Sequence, residues 1–299
     1  MRARVLKAAQ DLGYQPNHLA RSLITGKSGI VGVVIGNPRN TFHLEALDAL
    51  SARLSAAGLY LQVFTARAAG HADELVEALL RFRADALLLM STELSERLAA
   101  QCQKIALPVI CFNRQPQWRG DSFTVTAANH RGASQVAGHL LEQGYTRPAI
   151  ITASDHSATS REREAGFLDT LGRRGLPAPL RTSGGHGAGA VPAVRHLLSL
   201  PEPPDAIFCT SDYMAMAAIE TARFEFGLEI GPQLGIAGFD DTEGAAWRSF
   251  DLTSYSQPIR PMIEQVSRII LEPETLGETR EFVIEGELKV RASTRRAKG

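Results

Sequence analysis

Polar and charged side chains suited to holding a small molecule recur directly after the apolar runs of this 299-residue chain. The first set runs Asn37-Pro38-Arg39-Asn40-Thr41-Phe42-His43, then Thr65-Ala66-Arg67, Ser91-Thr92 and Asn113-Arg114. A second set is Ser154-Asp155, Arg161 and Arg163, Ser211-Asp212, and Phe239-Asp240-Asp241. Hydrogen-bonding and charged groups with an aromatic or two are what a small polar ligand needs. Polar residues also collect in loops for solvation, but two aspartates immediately after an apolar strand are hard to explain that way.

Catalytic patterns are missing. Gly26-Lys27-Ser28 looks like the end of a phosphate loop, but Arg21 stands where the earlier glycine is required, and the stretch precedes a strand instead of following one. Gly185, Gly187 and Gly189 do not form a dinucleotide fingerprint, and there is no Gly-x-Ser-x-Gly elbow. The eight histidines are scattered without metal-ligand spacing, and His139 reads as a structural residue within a helix. The sequence therefore predicts a binding protein, not an enzyme, with no cofactor and no metal.

These loops must be held by alternating strands and helices. Gly29–Ile35 is a continuous apolar run, as in a strand buried on both faces. A helix capped by Asn40 or Thr41 would turn Leu44, Leu47, Leu50 and Leu54 inward and stop at Gly58. Further helices are expected over Asp73–Arg83, with Leu75, Leu79 and Phe82 inward, and over Leu94–Lys104, Asn129–Gln143, Arg161–Arg174, Ala190–Leu200, Asp212–Phe226 and Pro258–Leu271. Strands are expected at Leu59–Thr65, Ala86–Met90, Pro108–Phe112, Phe123–Thr126, Pro148–Thr152, Ala206–Thr210, Gln233–Gly238, Leu252–Tyr255, and around Phe282–Ile284 and Leu288–Arg291. The Gly/Pro-rich segments 175–189 and 201–204 read as surface turns. Roughly ten strand–helix units in this length predict an α/β protein with two doubly wound parallel sheets.

Composition agrees with a globular protein: 44% of residues are hydrophobic and 21% charged, with net charge zero. That neutrality hides basic ends, since residues 1–28 carry Arg2, Arg4, Lys7, Arg21 and Lys27 against Asp11, and the tail carries Lys289, Arg291, Arg295, Arg296 and Lys298. Basic ends on a neutral body suit anionic partners there, or simply solubilise the termini. Cys102, Cys111 and Cys209 lack metal spacing, and the latter two read as buried free thiols. With no apolar signal core and no membrane-length run, the expected location is the cytoplasm.

One stretch is richer than a turn requires. Gly13 to Gly26 carries a Pro-Asn turn, then a short helix with Arg21 and an apolar Leu19/Leu23/Ile24 face. It follows a basic helix over residues 2–12. Together with Ile30–Val34, Arg161-x-Arg-Glu-Ala-Gly-Phe167, Ser211–Ala215, Gly238–Asp241, Leu252–Gln257 and Arg291–Thr294, it resembles the LacI/GalR family of bacterial transcription regulators over nearly the whole chain.

That resemblance implies two periplasmic-binding-protein-like (type I) subdomains with a short helical N-terminal remnant. The implied division is 1–27 for the head remnant and hinge helix, 28–126 with 257–285 for the N-terminal effector subdomain, and 127–256 with 286–299 for the C-terminal one. Crossovers would fall near Thr126–Ala127, Ser256–Gln257 and Glu285–Gly286. Carried over by position, the effector residues are Phe42, His43, Arg161, Arg163, Ser211, Asp212, Asp240 and Gln257. An arginine fork suits a carboxylate or phosphate and aspartates suit hydroxyls, so the implied effector is a sugar, sugar acid or sugar phosphate. The DNA-binding residues would be Asn17, Ala20, Arg21 and Leu23, with Leu23 as a minor-groove wedge. The implied function is a homodimeric repressor of operator DNA with no membrane partner. The alternative on the same fold is a transporter's solute-binding protein. Residues 2–12 match only the last helix of the family's helix-turn-helix head, so either the rest of that reader lies before Met1 or this is a sensor that has lost it. Ala128-Asn129 replaces the usual Asp-Asn, Gly144-Tyr145 the usual Gly-His, and Ser211-Asp212 the frequent Asn-Asp.

Overall fold

Two six-stranded sheets, each buried between helical layers, carry the loops singled out above. The structure, a computed structural model, describes residues 11, 26–36, 40–66, 71–118, 120–153, 158–184 and 187–296. The first sheet comprises β1 (Ile30–Ile35), β2 (Tyr60–Thr65), β3 (Ala86–Met90), β4 (Val109–Phe112), β5 (Phe123–Ala127) and β11 (Glu281–Ile284). Its order is β11-β5-β4-β3-β1-β2, all parallel. The second comprises β6 (Pro148–Thr152), β7 (Leu180–Ser183), β8 (Ala206–Cys209), β9 (Gly235–Asp240), β10 (Thr253–Ser256) and β12 (Glu287–Lys289). Its order is β12-β10-β9-β8-β6-β7, with only β12 antiparallel. The chain passes between the sheets three times, after β5, after β10 and after β11.

Eight α-helices among the described residues cover the sheets. Helices α1 (Thr41–Ala56) and α8 (Ile259–Leu271) bury Ala46, Leu50, Leu54, Met262 and Val266 against one face of the first sheet; α2 (His71–Arg81) and α3 (Glu96–Lys104) cover the other. On the second sheet, α6 (Val191–Leu198) and α7 (Asp212–Phe226) face α4 (Asn129–Glu142) and α5 (Ala158–Arg173) across the strands. The central strands β1, β3, β4, β6, β8 and β9 are apolar on both sides because both faces are covered. Local chemistry sets the helix ends: Asn40 and Ser95 cap α1 and α3 through their side chains, and Gly227 takes the left-handed conformation that stops α7.

Several expectations need correction. Leu44 is half exposed, because the buried stripe of α1 runs Phe42, His43, Ala46, Leu50 and Leu54. Phe82 is also exposed, since α2 ends at Arg81 and buries Ala72, Val76 and Leu79. Part of the segment read as turns, Leu180–Ser183, is the edge strand β7, whose mostly exposed residues carry no apolar alternation. Strand β9 starts at Gly235, not Gln233, and runs through Phe239 to Asp240, so the first aspartate is the strand's last residue. All three cysteines are free and buried. No helix among the described residues is long and apolar enough to cross a membrane.

Candidate functional site

Backbone conformation marks the carboxyl ends of the strands. Ser91, Asn113, Asp240 and Asp241 all have positive φ, at 51°, 54°, 128° and 56°, and each lies at or just beyond the end of β3, β4 or β9. Such conformations cost of order 1–3 kcal/mol in non-glycine residues and concentrate where side chains must be aimed. Here Asn113 and Asp240 both reach Gln257, Ser91 reaches His43, and Asp241 turns back to pair with Arg291 of its own half.

What those groups build is a closed ring of six side chains. Asn113 Nδ2 donates to Gln257 Oε1 at 2.9 Å, and Gln257 Nε2 donates to Asp240 Oδ1 at 2.6 Å. Arg163 Nη1 meets the same Asp240 oxygen at 3.3 Å, and its Nε donates to Asn129 Oδ1 at 2.8 Å. Asn129 Nδ2 donates to Thr126 Oγ1 at 3.1 Å, and Thr126 Oγ1 donates to Asn113 Oδ1 at 3.2 Å, which closes the circuit. Asn113 and Thr126 belong to the first sheet; Asp240 ends β9 of the second, and Arg163 and Asn129 lie on helices covering it. Gln257 follows β10, where the chain crosses back. The ring therefore joins the two halves through fixed hydrogen-bond partners.

Arg163 is buried, with Nη1 also donating to the Thr210 carbonyl at 2.7 Å and its guanidinium carbon 3.8 Å from the Phe239 ring centroid. Burial pushes the Asp240 carboxyl up, against the pull of Arg163, Gln257 and Asn40, which hydrogen-bond it. Asn40 also caps α1, so it ties the first subdomain's leading helix to the second subdomain's aspartate. Asp212, fully buried at the start of α7, accepts from Ser254 Oγ at 2.5 Å and from the Thr242 amide at 2.8 Å. Desolvation, with Asp240 second, pushes Asp212 up to about 7. Ser211 caps α7 without a side-chain bond and stays partly open.

On the opposite wall, His43 is buried and its Nε2 lies 3.0 Å from Ser91 Oγ, while Phe42 stacks on Phe112 in the core at 6.0 Å between centroids. Glu45, one turn into α1, is raised by burial and by Glu243, Asp240 and Asp241, although the Glu243 amide stabilises its charge. The two halves thus oppose carboxylates across the gap. Nearby, beside the crossovers, Gln115, Asn129, His130, Arg131, Glu162 and Glu285 line a pocket of about 360 Å³. Among the described residues no cluster could hold a metal ion.

The structure therefore gathers Arg163, Asp240 and Gln257 into one network, packs Asp212 directly behind it, and sets His43 on the facing wall. Phe42 faces the core, and Arg161 is an exposed residue of α5. Asn17, Ala20, Arg21 and Leu23, like Arg39, Arg67, Ser154 and Asp155, lie outside the described residues. The sequence places Asn113 among the loop residues suited to a ligand but marks neither Thr126 nor Asn129 as a site residue; the Thr126–Asn129 spacing at a crossover is a signal only when the fold is known.

Residues 137–294 match the family described as a periplasmic binding protein-like domain. The HTH-type transcriptional repressor PurR of Aliivibrio salmonicida (strain LFI1238) is 29% identical over 279 residues, covering 90% of this chain and 82% of that protein. A transcriptional regulator CelR–cellobiose complex superposes with a TM-score of 0.80 at 25% identity, over 98% of this chain and 90% of that one. The lac repressor dimer bound to operator and an anti-inducer shares the fold at a TM-score of 0.85 and 21% identity, with the same coverage.

Proposed function

We propose, from the premise that this chain belongs to the LacI/GalR family of regulators with a periplasmic-binding-protein-like domain, that it represses transcription under control of a small polar effector. The observation that carries this reading is the six-membered ring between the halves. A ligand entering the cleft must exchange bonds with that ring, so it biases how the halves sit relative to one another. The proposed subdomains are 28–126 with 257–285 and 127–256 with 286–299, preceded by a hinge segment in 1–27. His43, Arg161, Arg163, Ser211, Asp212, Asp240 and Gln257 are the proposed effector wall, with Phe42 packed in the core behind His43. The effector class is a sugar, sugar acid or sugar phosphate, a reading supported by the cellobiose held by the CelR relative.

Coupling would run through the segment before β1. Closure of the cleft changes the spacing of paired hinge helices in a dimer, and thereby whether they fold on operator DNA. Asn17, Ala20 and Arg21 would contact DNA while Leu23 wedges a base step. A full switch from 1:99 to 99:1 requires about 5.5 kcal/mol of differential affinity. Self-association is supported by apolar residues left in solvent: Tyr213 and Phe224 on α7, and Trp247 beyond it, are all exposed.

The test is Leu23→Ala in the DNA-binding protein. Operator affinity should fall while cellobiose, ribose and glucuronate, screened by thermal shift, give the same responses as in the parent. Equal operator binding by the variant would remove the wedge from the mechanism. A ligand at 100 times its Kd stabilises the folded protein by about 2.7 kcal/mol, so binding is readable in such a screen.

A further inference from the structure

We infer that Arg114 and Arg161 form a two-sided anion clamp, one arginine from each subdomain, and that the effector carries a carboxylate or phosphate bridging them. This rests on the cleft being the effector site.

Arg114 follows β4 at the carboxyl end of the first sheet, and its side chain is only 18% exposed. One amino group donates to the Glu93 carboxylate, but its Nε is buried with no hydrogen-bond partner. A buried guanidinium N–H without an acceptor is uncommon, because a planar fork normally satisfies several acceptors at once. Its place beyond a strand end is where an acceptor from a ligand would arrive.

Arg161 approaches from the other subdomain, on the first turn of α5. A bonded chain holds the two arginines' neighbours together: Asn113 to Thr126 at 3.2 Å, Thr126 to Asn129 at 3.1 Å, and Asn129 to Glu162 at 3.0 Å. The residues next to Arg114 and Arg161 in sequence thus terminate one continuous hydrogen-bond path across the crossover. In keeping with that proximity, burial first and Arg161 second push the Arg114 pKa down. Two like charges brought together by closure oppose it; an oxyanion between them reverses the sign. Glu93 takes one amino group of Arg114 and leaves its buried Nε facing no acceptor among the described residues, so that donor remains for such a group. A neutral sugar fills the rest of the cleft but leaves this opposition in place, so the clamp selects acidic effectors.

The test uses the whole chain and thermal-shift titrations with inorganic phosphate, potassium chloride at matched ionic strength, glucuronate, glucose 6-phosphate and glucose. Phosphate should raise the melting temperature where chloride does not. Arg114→Met and Arg161→Met should each weaken phosphate at least 10-fold, and unliganded Arg114→Met should melt within a few degrees of the parent, since it removes an unsatisfied donor. Preference for glucuronate over glucose 6-phosphate, or the reverse, names the oxyanion. Phosphate acting like chloride, or binding Arg114→Met as it binds the parent, overturns the clamp. Glucose binding equally to the parent and both variants in that case would leave the effector cleft standing without it.

Discussion

Replacing Arg163 by Met separates the ring's electrostatics from its packing. The buried guanidinium holds Asp240, Asn129 and the Thr210 carbonyl, and covers Phe239. Met retains much of the apolar stem but leaves Asp240 as a buried carboxylate short of its cation, and strands two further acceptors. Breaking a buried ion pair from one side costs about 3–5 kcal/mol. The orphaned Asn129 and Thr210 oxygens fall within the same loss, because residues in one network do not add independently. For a protein of this size, at about 2–4 °C per kcal/mol, the midpoint should drop by about 6–20 °C. Urea unfolding followed by circular dichroism measures the energy, and a thermal scan the midpoint. The double variant Arg163→Met/Asp240→Asn discharges the stranded carboxylate and should recover about 2 kcal/mol of the loss. A single-variant loss below about 1 kcal/mol, or a double variant less stable than the single, would refute the claim that Arg163 chiefly neutralises a buried Asp240.

Two further outcomes follow from buried groups and close contacts. Asp212, raised to about 7 by burial and by Asp240, binds a proton in the folded state at pH values where the unfolded chain has released it. Stability should therefore fall as pH rises from about 4 through 7, with Asp240, also raised, contributing the same sign. Urea midpoints at pH 5 and pH 8 check this, and Asp212→Asn should flatten the profile. Gly166 lets α5 cross α4 so closely that an added Cβ would sit 2.0 Å from the His130 carbonyl oxygen. Gly166→Ala should cost about 1–3 kcal/mol by forcing the helices apart, and an unchanged thermal midpoint would contradict that packing.

Much of the architecture is written into local pattern. The uninterrupted runs at Ile30–Ile35 and Ala86–Met90 announce strands covered on both faces, and Asp212–Phe226 has the observed helix limits. The edge strand β7 was illegible because Leu-Arg-Thr-Ser buries too little to impose a period. Leu44 misled because a stripe of leucines suggested one helix face, whereas Phe42, His43 and Ala46 take the core side. Of the proposed wall, Arg163, Asp240 and Gln257 could be picked out individually, yet their shared bonds could not.

The sequence by itself determined the strand–helix alternation, the polar loops after the strands and the likeness to a regulator family, since each depends on neighbours within a few residues. Tertiary structure alone decided that Asn113, Thr126 and Asn129 join Arg163, Asp240 and Gln257 in one ring. Asn113 and Gln257 are 144 residues apart. Only the three passages of the chain between sheets bring such pairs within 3 Å, and directional bonds at that distance have no signature in local periodicity.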